Sequence, residues 1–346
     1  MRQLVGGRLS SVAASTLLVA LALAACGDSG SSGTKAASTT PAPAASGSSA
    51  ASSSGGQACA PVAGDALVAL TDDKGLQTVD NIIPAINAKV AKPPLTDALD
   101  KVSAALTTEK LIALNKSTDI DRKTPPNAAK DFVAAEKLTD GLSGGSGKIV
   151  VGAANFSENQ TLANVYAQVL TAAGYDASVK TIGSREVYEP ALEKGEVQVV
   201  PEYVGTLTEF LNKTANGATA TPLASSDLQA TVTALTGLGS KVGLAFGKPA
   251  EAADQNAFAV TTAFADKYGV KTLSDLAAAC SSGLVLGGPP ECPDRPFCQP
   301  GLESTYSLTF DSFTSLDAGG PLSKTALKQG KVAIALVFSS DAALAG

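Results

Sequence analysis

The sequence predicts an α/β fold built on open parallel sheets with helices on their faces, and three observations lead there. Residues 148–206 run strand, helix, strand, helix, strand, which is half of such a sheet. The stretch VAIALVF (332–338) is apolar without alternation, as a central parallel strand must be when both its faces are covered. At 346 residues the chain is long enough for two domains, each with its own core.

The strand KIVVG (148–152) leads through Asn155, Phe156, Ser157 and Glu158 into a helix. Its Leu162, Val165, Tyr166, Val169 and Leu170 fall at i, i+3, i+4, i+7 and i+8, one apolar face. Ser157 followed by Gln160 has the form of a capping box, and Gly174 stands where a helix-ending glycine belongs. A strand over 177–182, a helix over 184–194 and a strand over 197–200 complete the unit. A helix over 227–235 and a strand over 242–246 follow. Residues 254–260 read as a strand crossing to a second sheet. Short helices over 263–267 and 273–279 and a strand over 284–286 precede the final helix end and VAIALVF.

The region before this unit is less regular. ALVAL (66–70) is strand-like, and helical patterns lie near 95–106 (Leu95, Leu99, Val102, Leu106), over 108–114, and from Pro126 through Phe132 and Val133. Proline at a first helical turn removes only an N–H that would be unpaired anyway. One strand with three helices cannot bury its own faces, so 65–140 is not a domain by itself.

Composition narrows the chemistry. The formal charge is −6 with no run of Lys or Arg, which argues against nucleic acid as a partner. There is no histidine, which removes Ser-His-Asp and Cys-His catalysis and every His-ligated metal. No catalytic residue, metal or cofactor is expected. There is no Trp, so any aromatic cage must use Tyr and Phe.

At the chain's start Arg2 and Arg8 precede an apolar stretch (12–25) ending in Leu23-Ala24-Ala25-Cys26. That is the layout of a lipoprotein signal, cut after Ala25 so that Cys26 carries lipid; a plain secretory signal is the competing reading. Residues 1–25 are then the signal. Residues 26–64, rich in Ser, Gly and Ala, form a flexible tether that buries too little to offset its ordering entropy. Four cysteines remain, and an even number in an exported chain implies disulfides with three possible pairings. Cys292–Cys298 is favoured because its five-residue loop closes on itself, which leaves Cys59–Cys280.

Several blocks carry a resemblance. NFSEN (155–159) followed by GSREVYEPALEKGEVQVVPEYVGTL (183–207) resembles the substrate-binding proteins of osmoprotectant ABC importers, the glycine betaine/carnitine/choline-binding family, with PEYVGT the most specific part. GGPPECPDRPFCQPGLESTYSLTF (287–310) is similar to a family block that contributes to the cleft. LVALTDDKGLQTVDNIIPAIN (67–87) and the segment 95–122 resemble the family's C-terminal end, and KVAIALVFSSDAALAG (331–346) resembles what precedes that end. The resemblance implies a two-lobed, type II periplasmic-binding-protein-like fold in circularly permuted order. Lobe I would span 65–253, made of 65–140 (the family's C-terminal part), a linker at 141–147, and 148–253 (its N-terminal part). Lobe II would span 254–346, joined by one crossover, with a Cys59–Cys280 bridge standing in for the lost strut.

The same resemblance implies a lipid-anchored, extracellular, monomeric solute-binding protein. It would pass a small osmolyte to an ABC permease and its ATPase. Ligands of open α/β sheets sit beyond the carboxyl ends of the strands. Strand ends alone nominate Asn155, Phe156, Ser184, Arg185, Tyr203, Thr206, Gln255, Asn256, Phe297, Gln299, Phe338 and Ser339. The family's aromatic cage carries over to Tyr203 and Thr206, and to Phe338 where Tyr is common. Two further cage positions fall on Asn256 and Gln299. The resemblance also implies an arginine or backbone donors for the carboxylate of a betaine-like ligand. Tyr166, Tyr188 and Phe210 are assigned to the core and Gln160 to the cap. Replacing Tyr203 by alanine is expected to weaken binding about tenfold with little change in melting temperature. With two cage positions non-aromatic, the alternatives are a binder of a different polar ligand, a sensor, or an exported enzyme using Glu158, Glu202 and Glu291.

Overall fold

Two five-stranded sheets organise residues 56–344, the part of the chain that the computed structural model describes. The described residues begin on what becomes the second lobe, with β1 (Gln57–Ala58) and β2 (Leu67–Leu70). It crosses to the first lobe for β3 (Ile82–Asn87), α1 (Pro93–Ala105), α2 (Thr108–Asp119), α3 (Pro125–Ala135), β4 (Lys148–Ala154) and α4 (Ser157–Ala173). There follow β5 (Asp176–Gly183), α5 (Arg185–Lys194), β6 (Val199–Tyr203), α6 (Val204–Asn216), α7 (Leu228–Lys241) and β7 (Leu244–Phe246). The return crossing opens the second lobe: β8 (Asn256–Thr261), α8 (Thr262–Tyr268), α9 (Leu273–Ala279), β9 (Cys280–Ser282) and β10 (Val285–Gly288). It ends with α10 (Gln299–Tyr306), β11 (Ser312–Ser315), α11 (Pro321–Lys328) and β12 (Ile334–Phe338).

The first sheet has the order β5-β4-β6-β3-β7 and the second β11-β10-β12-β8-β2. Both are mixed. β4 pairs parallel with β5 and β6, while β3 runs antiparallel to β6 and β7. VAIALVF does form a central strand, but β12 is parallel only to β10 and antiparallel to β8.

The helices of 93–135 share one core with α4. Leu95, Leu99, Val102 and Leu111 are buried with Leu162, Val165, Tyr166, Val169 and Leu170 around the face of β4. A fully buried leucine contributes about 1.5–3 kcal/mol, so this shared face, not local propensity, holds the N-terminal helices in the lobe. α1 and α3 each start with proline in the first turn, and Thr107 caps α2 by accepting from Lys110 N. Gly174 ends α4 at φ 109.

Four expectations need correction. The Ser157–Gln160 capping box does not form: Phe156 is the N-cap and Ser157 the first helical residue, while Asn159 turns inward to bridge Ala154 N and Pro201 O. Residues 67–70 belong to the second lobe, because β2 pairs along its whole length with β8. Consequently, among the described residues the chain crosses between the sheets twice, over 71–81 and 247–255, and no strut has been lost. Finally, 57–64 is ordered. β1 pairs with β9, Cys59 is bonded to Cys280 with Cα atoms 5.3 Å apart, and Val62 O and Gly64 N bond to Thr261 Oγ1 and Lys328 O. That disulfide fastens the early chain to the second lobe alone. Cys292–Cys298 closes a loop whose Cα atoms are 5.2 Å apart. No helix among the described residues is long and apolar enough to cross a membrane. The signal and Cys26 lie outside the described residues.

Candidate functional site

The carboxyl ends of β4 and β6 face those of β10 and β12 across a cleft of about 500 Å³. Such a volume lies within the range of about 300–1,000 Å³ typical of small-molecule sites. Six aromatic side chains line it: Phe156 after β4, Tyr188 on α5, Tyr203 ending β6, Phe210 on α6, Phe297 in the disulfide loop and Phe338 ending β12. Phe156 stacks on Phe338 from the opposite lobe (5.3 Å between centroids) and on Tyr203 (6.2 Å). Their faces carry the negative side of the ring quadrupole, which attracts organic cations.

Charged groups beneath these rings are already partnered. Arg185 holds Glu202 with Nε at 2.9 Å and Nη2 at 2.7 Å, and Nη2 also donates to Thr206 Oγ1 at 2.9 Å. Tyr188 OH and Tyr203 N complete the Glu202 shell. The neighbouring carboxylate holds the Arg185 guanidinium well above its ordinary range, against the opposing effect of burial.

Asp80 reaches the N-terminus of α6, where its Oδ1 accepts from Gly205 N (2.8 Å) and Thr206 N (3.0 Å). Gly205 makes this approach possible: a Cβ there would collide with Val79 O and Thr78 Oγ1. Behind Tyr203 lies a second carboxyl group. Glu158 accepts from Tyr203 OH (2.7 Å), Asn115 Nδ2 (2.6 Å) and Ser340 Oγ (2.7 Å), and sits beside Asp254, whose Oδ1 accepts from Ser340 N (2.9 Å). Burial raises the pKa of both acids, and the Glu158 charge raises Asp254 further. Three donors converge on Glu158, so the charge resides there and the proton stays on Asp254.

The rim joins the lobes. Arg295 in the disulfide loop pairs with Glu186 at 3.1 Å and with Glu291 at 3.3 Å, and Lys213 Nζ donates to Asp294 O at 2.8 Å. The Cys292–Cys298 loop is therefore the lip of the second lobe.

Of the residues nominated from sequence, Asn155, Phe156, Ser184, Arg185, Tyr203, Thr206, Asn256, Phe297 and Phe338 line the cleft. Gln299 does not: it begins α10 and donates to Glu303 Oε1 at 2.7 Å. Gln255 and Ser339 are bonded to each other, and Gln255 also to Thr78 O, tying the two crossings together. Asn256 is at the cleft, but its amide donates to Phe297 O. Tyr188 and Phe210, assigned to the core, also border the cleft, and Tyr166 is core. Asp80 and Asp254 were not nominated. Asp80 sits in a connection without periodic pattern, and Asp254 read as part of the crossing strand, so neither had a local signal.

A family model described as the substrate binding domain of ABC-type glycine betaine transport system matches residues 61–135 and 147–346. A solved structure described as a glycine betaine/carnitine/choline ABC transporter is 22% identical, over 57% of this chain and 71% of that one, with a TM-score of 0.36.

Proposed function

The chain belongs to the family of substrate-binding domains of ABC-type glycine betaine transport systems, and from that premise we propose that it captures a small quaternary-ammonium or zwitterionic osmolyte between its lobes and delivers it to a permease. The family is one of transport proteins, so the chain is not an enzyme. The observation that supports this reading best is the meeting of Phe156 and Tyr203 from one lobe with Phe338 from the other at the base of the cleft. Each ring facing an ammonium group contributes about 0.5–2 kcal/mol. A ligand held between lobes favours the closed form by the difference in its affinity for the two forms. The Arg295–Glu186 and Lys213–Asp294 contacts add to closure at the rim. Calorimetric titration with glycine betaine, choline, carnitine and proline betaine should show saturable binding of at least one. Heats of dilution for all four would end the proposal.

In this reading the protein is exported, held at the outer face of the membrane through Cys26, and acts as a monomer. The circular permutation remains part of the proposal. The family match omits 136–146, which overlaps the linker 141–147, and β2 and β12 flank the same strand, β8. A chain rejoined from Gly346 to Gly56, which keeps the Cys59–Cys280 bridge, and opened within 141–147 should therefore fold and keep its ligand affinity within about threefold, under 1 kcal/mol. Recovery of only aggregated protein would count against a permuted origin.

A further inference from the structure

The base of the cleft contains two places where a ligand carboxylate would be expected to dock, and the protein's own carboxylates occupy both, while Lys213 at the rim is turned to the Asp294 carbonyl. The first is the Arg185 guanidinium, gripped in bidentate fashion by Glu202, with side-chain exposures of 7% and 1%. The second is the N-terminus of α6, whose N–H groups point at an anion by the geometry of any helix start. There Asp80 already receives Gly205 N and Thr206 N. At the rim, the Arg295 charge is met by Glu186 and Glu291.

The acceptors are in the opposite condition. Asp80 is 5% exposed and lines the cleft, and while Oδ1 takes three donors, Oδ2 takes none from any described residue. Behind Tyr203, the Glu158–Asp254 pair keeps one negative charge. The floor is thus acidic with an open acceptor, and stacked rings stand over it.

We propose that this cleft selects an organic cation that carries a hydroxyl or N–H donor and no carboxylate, the donor binding Asp80 Oδ2 and the cationic head lying against Phe156, Tyr203 and Phe338. The proposal rests on the solute-binding reading above and narrows it to one ligand class. A zwitterion would set its carboxylate against Asp80 with both carboxylate-docking places filled. An amino-alcohol cation of the choline type meets an acceptor at one end and aromatic faces at the other.

The charge state of Asp80 makes the preference dependent on pH. Burial lifts its carboxyl to about 7, opposed by the Thr206 and Gly205 N–H groups and by Arg185. The groups facing it are the Arg185 guanidinium from α5 and the protonated carboxyl of Asp254 from the return crossing. A bound cation stabilises ionised Asp80, so binding releases a proton below about pH 7 and affinity rises as pH increases through that range.

The test titrates the purified chain calorimetrically with choline chloride and with glycine betaine, at about pH 5.5 and about pH 8, which bracket the Asp80 titration. Choline should bind at least tenfold more tightly than glycine betaine at the higher pH, and its affinity should fall several-fold at the lower. In Asp80→Asn, whose carbonyl oxygen can still cap α6, the choline-to-betaine ratio should drop at least tenfold and the pH dependence should vanish. If that variant fails to fold, the choline-to-betaine ratio of the unaltered chain still tests the selection. Glycine betaine binding as tightly as choline would overturn the inference while leaving the solute-binding function intact. Choline selectivity that is unchanged in a folded Asp80→Asn protein would overturn the role of Asp80. Binding of neither ligand would overturn the inference, and the solute-binding reading falls with it only if carnitine and proline betaine also give heats of dilution alone.

Discussion

Arg185→Ala is expected to destabilise the protein by about 3–5 kcal/mol, because it strands the Glu202 carboxylate in the interior. Glu202 is 1% exposed and would retain only Tyr188 OH, at 2.8 Å, and Tyr203 N, at 3.0 Å. Neither supplies a positive charge. Lysine should recover only part of the loss, since an ammonium cannot reproduce the paired contacts of Nε and Nη2. Replacing both partners with methionine should be far milder than the single change, because the cost lies in the unpaired charge and not in losing the bridge as such. Urea unfolding of the three variants measures all of this. A single alanine variant within about 1 kcal/mol of the parent would mean that Glu202 is better solvated than its surroundings indicate.

Tyr203→Ala should reduce both ligand affinity and stability. The ring is 6% exposed, stacks beside Phe156 and donates its hydroxyl to Glu158 at 2.7 Å. Removing a buried aromatic side chain costs about 3–5 kcal/mol, and Glu158 also loses a donor. An unchanged melting temperature, the natural guess for a residue at a ligand site, is therefore not expected. Affinity should fall tenfold or more, about 1.4 kcal/mol, for any cation that uses this ring. Tyr203→Phe separates the two effects: it keeps the aromatic face and leaves Asn115 and Ser340 on Glu158, so affinity should change by less than about threefold. Calorimetry and thermal unfolding on the same samples decide. Unimpaired binding by a folded alanine variant would remove Tyr203 from the ligand's surroundings.

Much of the fold could be read locally. The alternation over 148–206 placed β4 to β6, the leucine spacing placed α1, the proline of α3 marked its start, and the short Cys292–Cys298 loop closed as its spacing implied. β3 was missed because Pro84 lies in its middle, and proline argues against a central strand. Yet Ile82–Asn87 is buried throughout, with Pro84 opposite Pro201 in β6 and its carbonyl accepting from Gly247 N. β2 looked like part of the first lobe because nothing in LVAL says which sheet it will join; the register with β8 settles that.

Most of the cleft-lining residues at strand ends were legible, because strand ends converge at a ligand site in any open α/β sheet. What the amino-acid order determined by itself was the class of fold, the aromatic residues at those ends and the absence of histidine chemistry, whereas it favoured one disulfide pairing of three and the structure chose it. The tertiary structure alone decided which charges remain available. Asp80 meets the start of α6 across 125 residues, and Asn115 and Ser340 close on Glu158 from 43 and 182 residues away. Pairing of buried charges depends on distances of about 3 Å between chain segments that share no local pattern, so no periodicity along the chain can encode it.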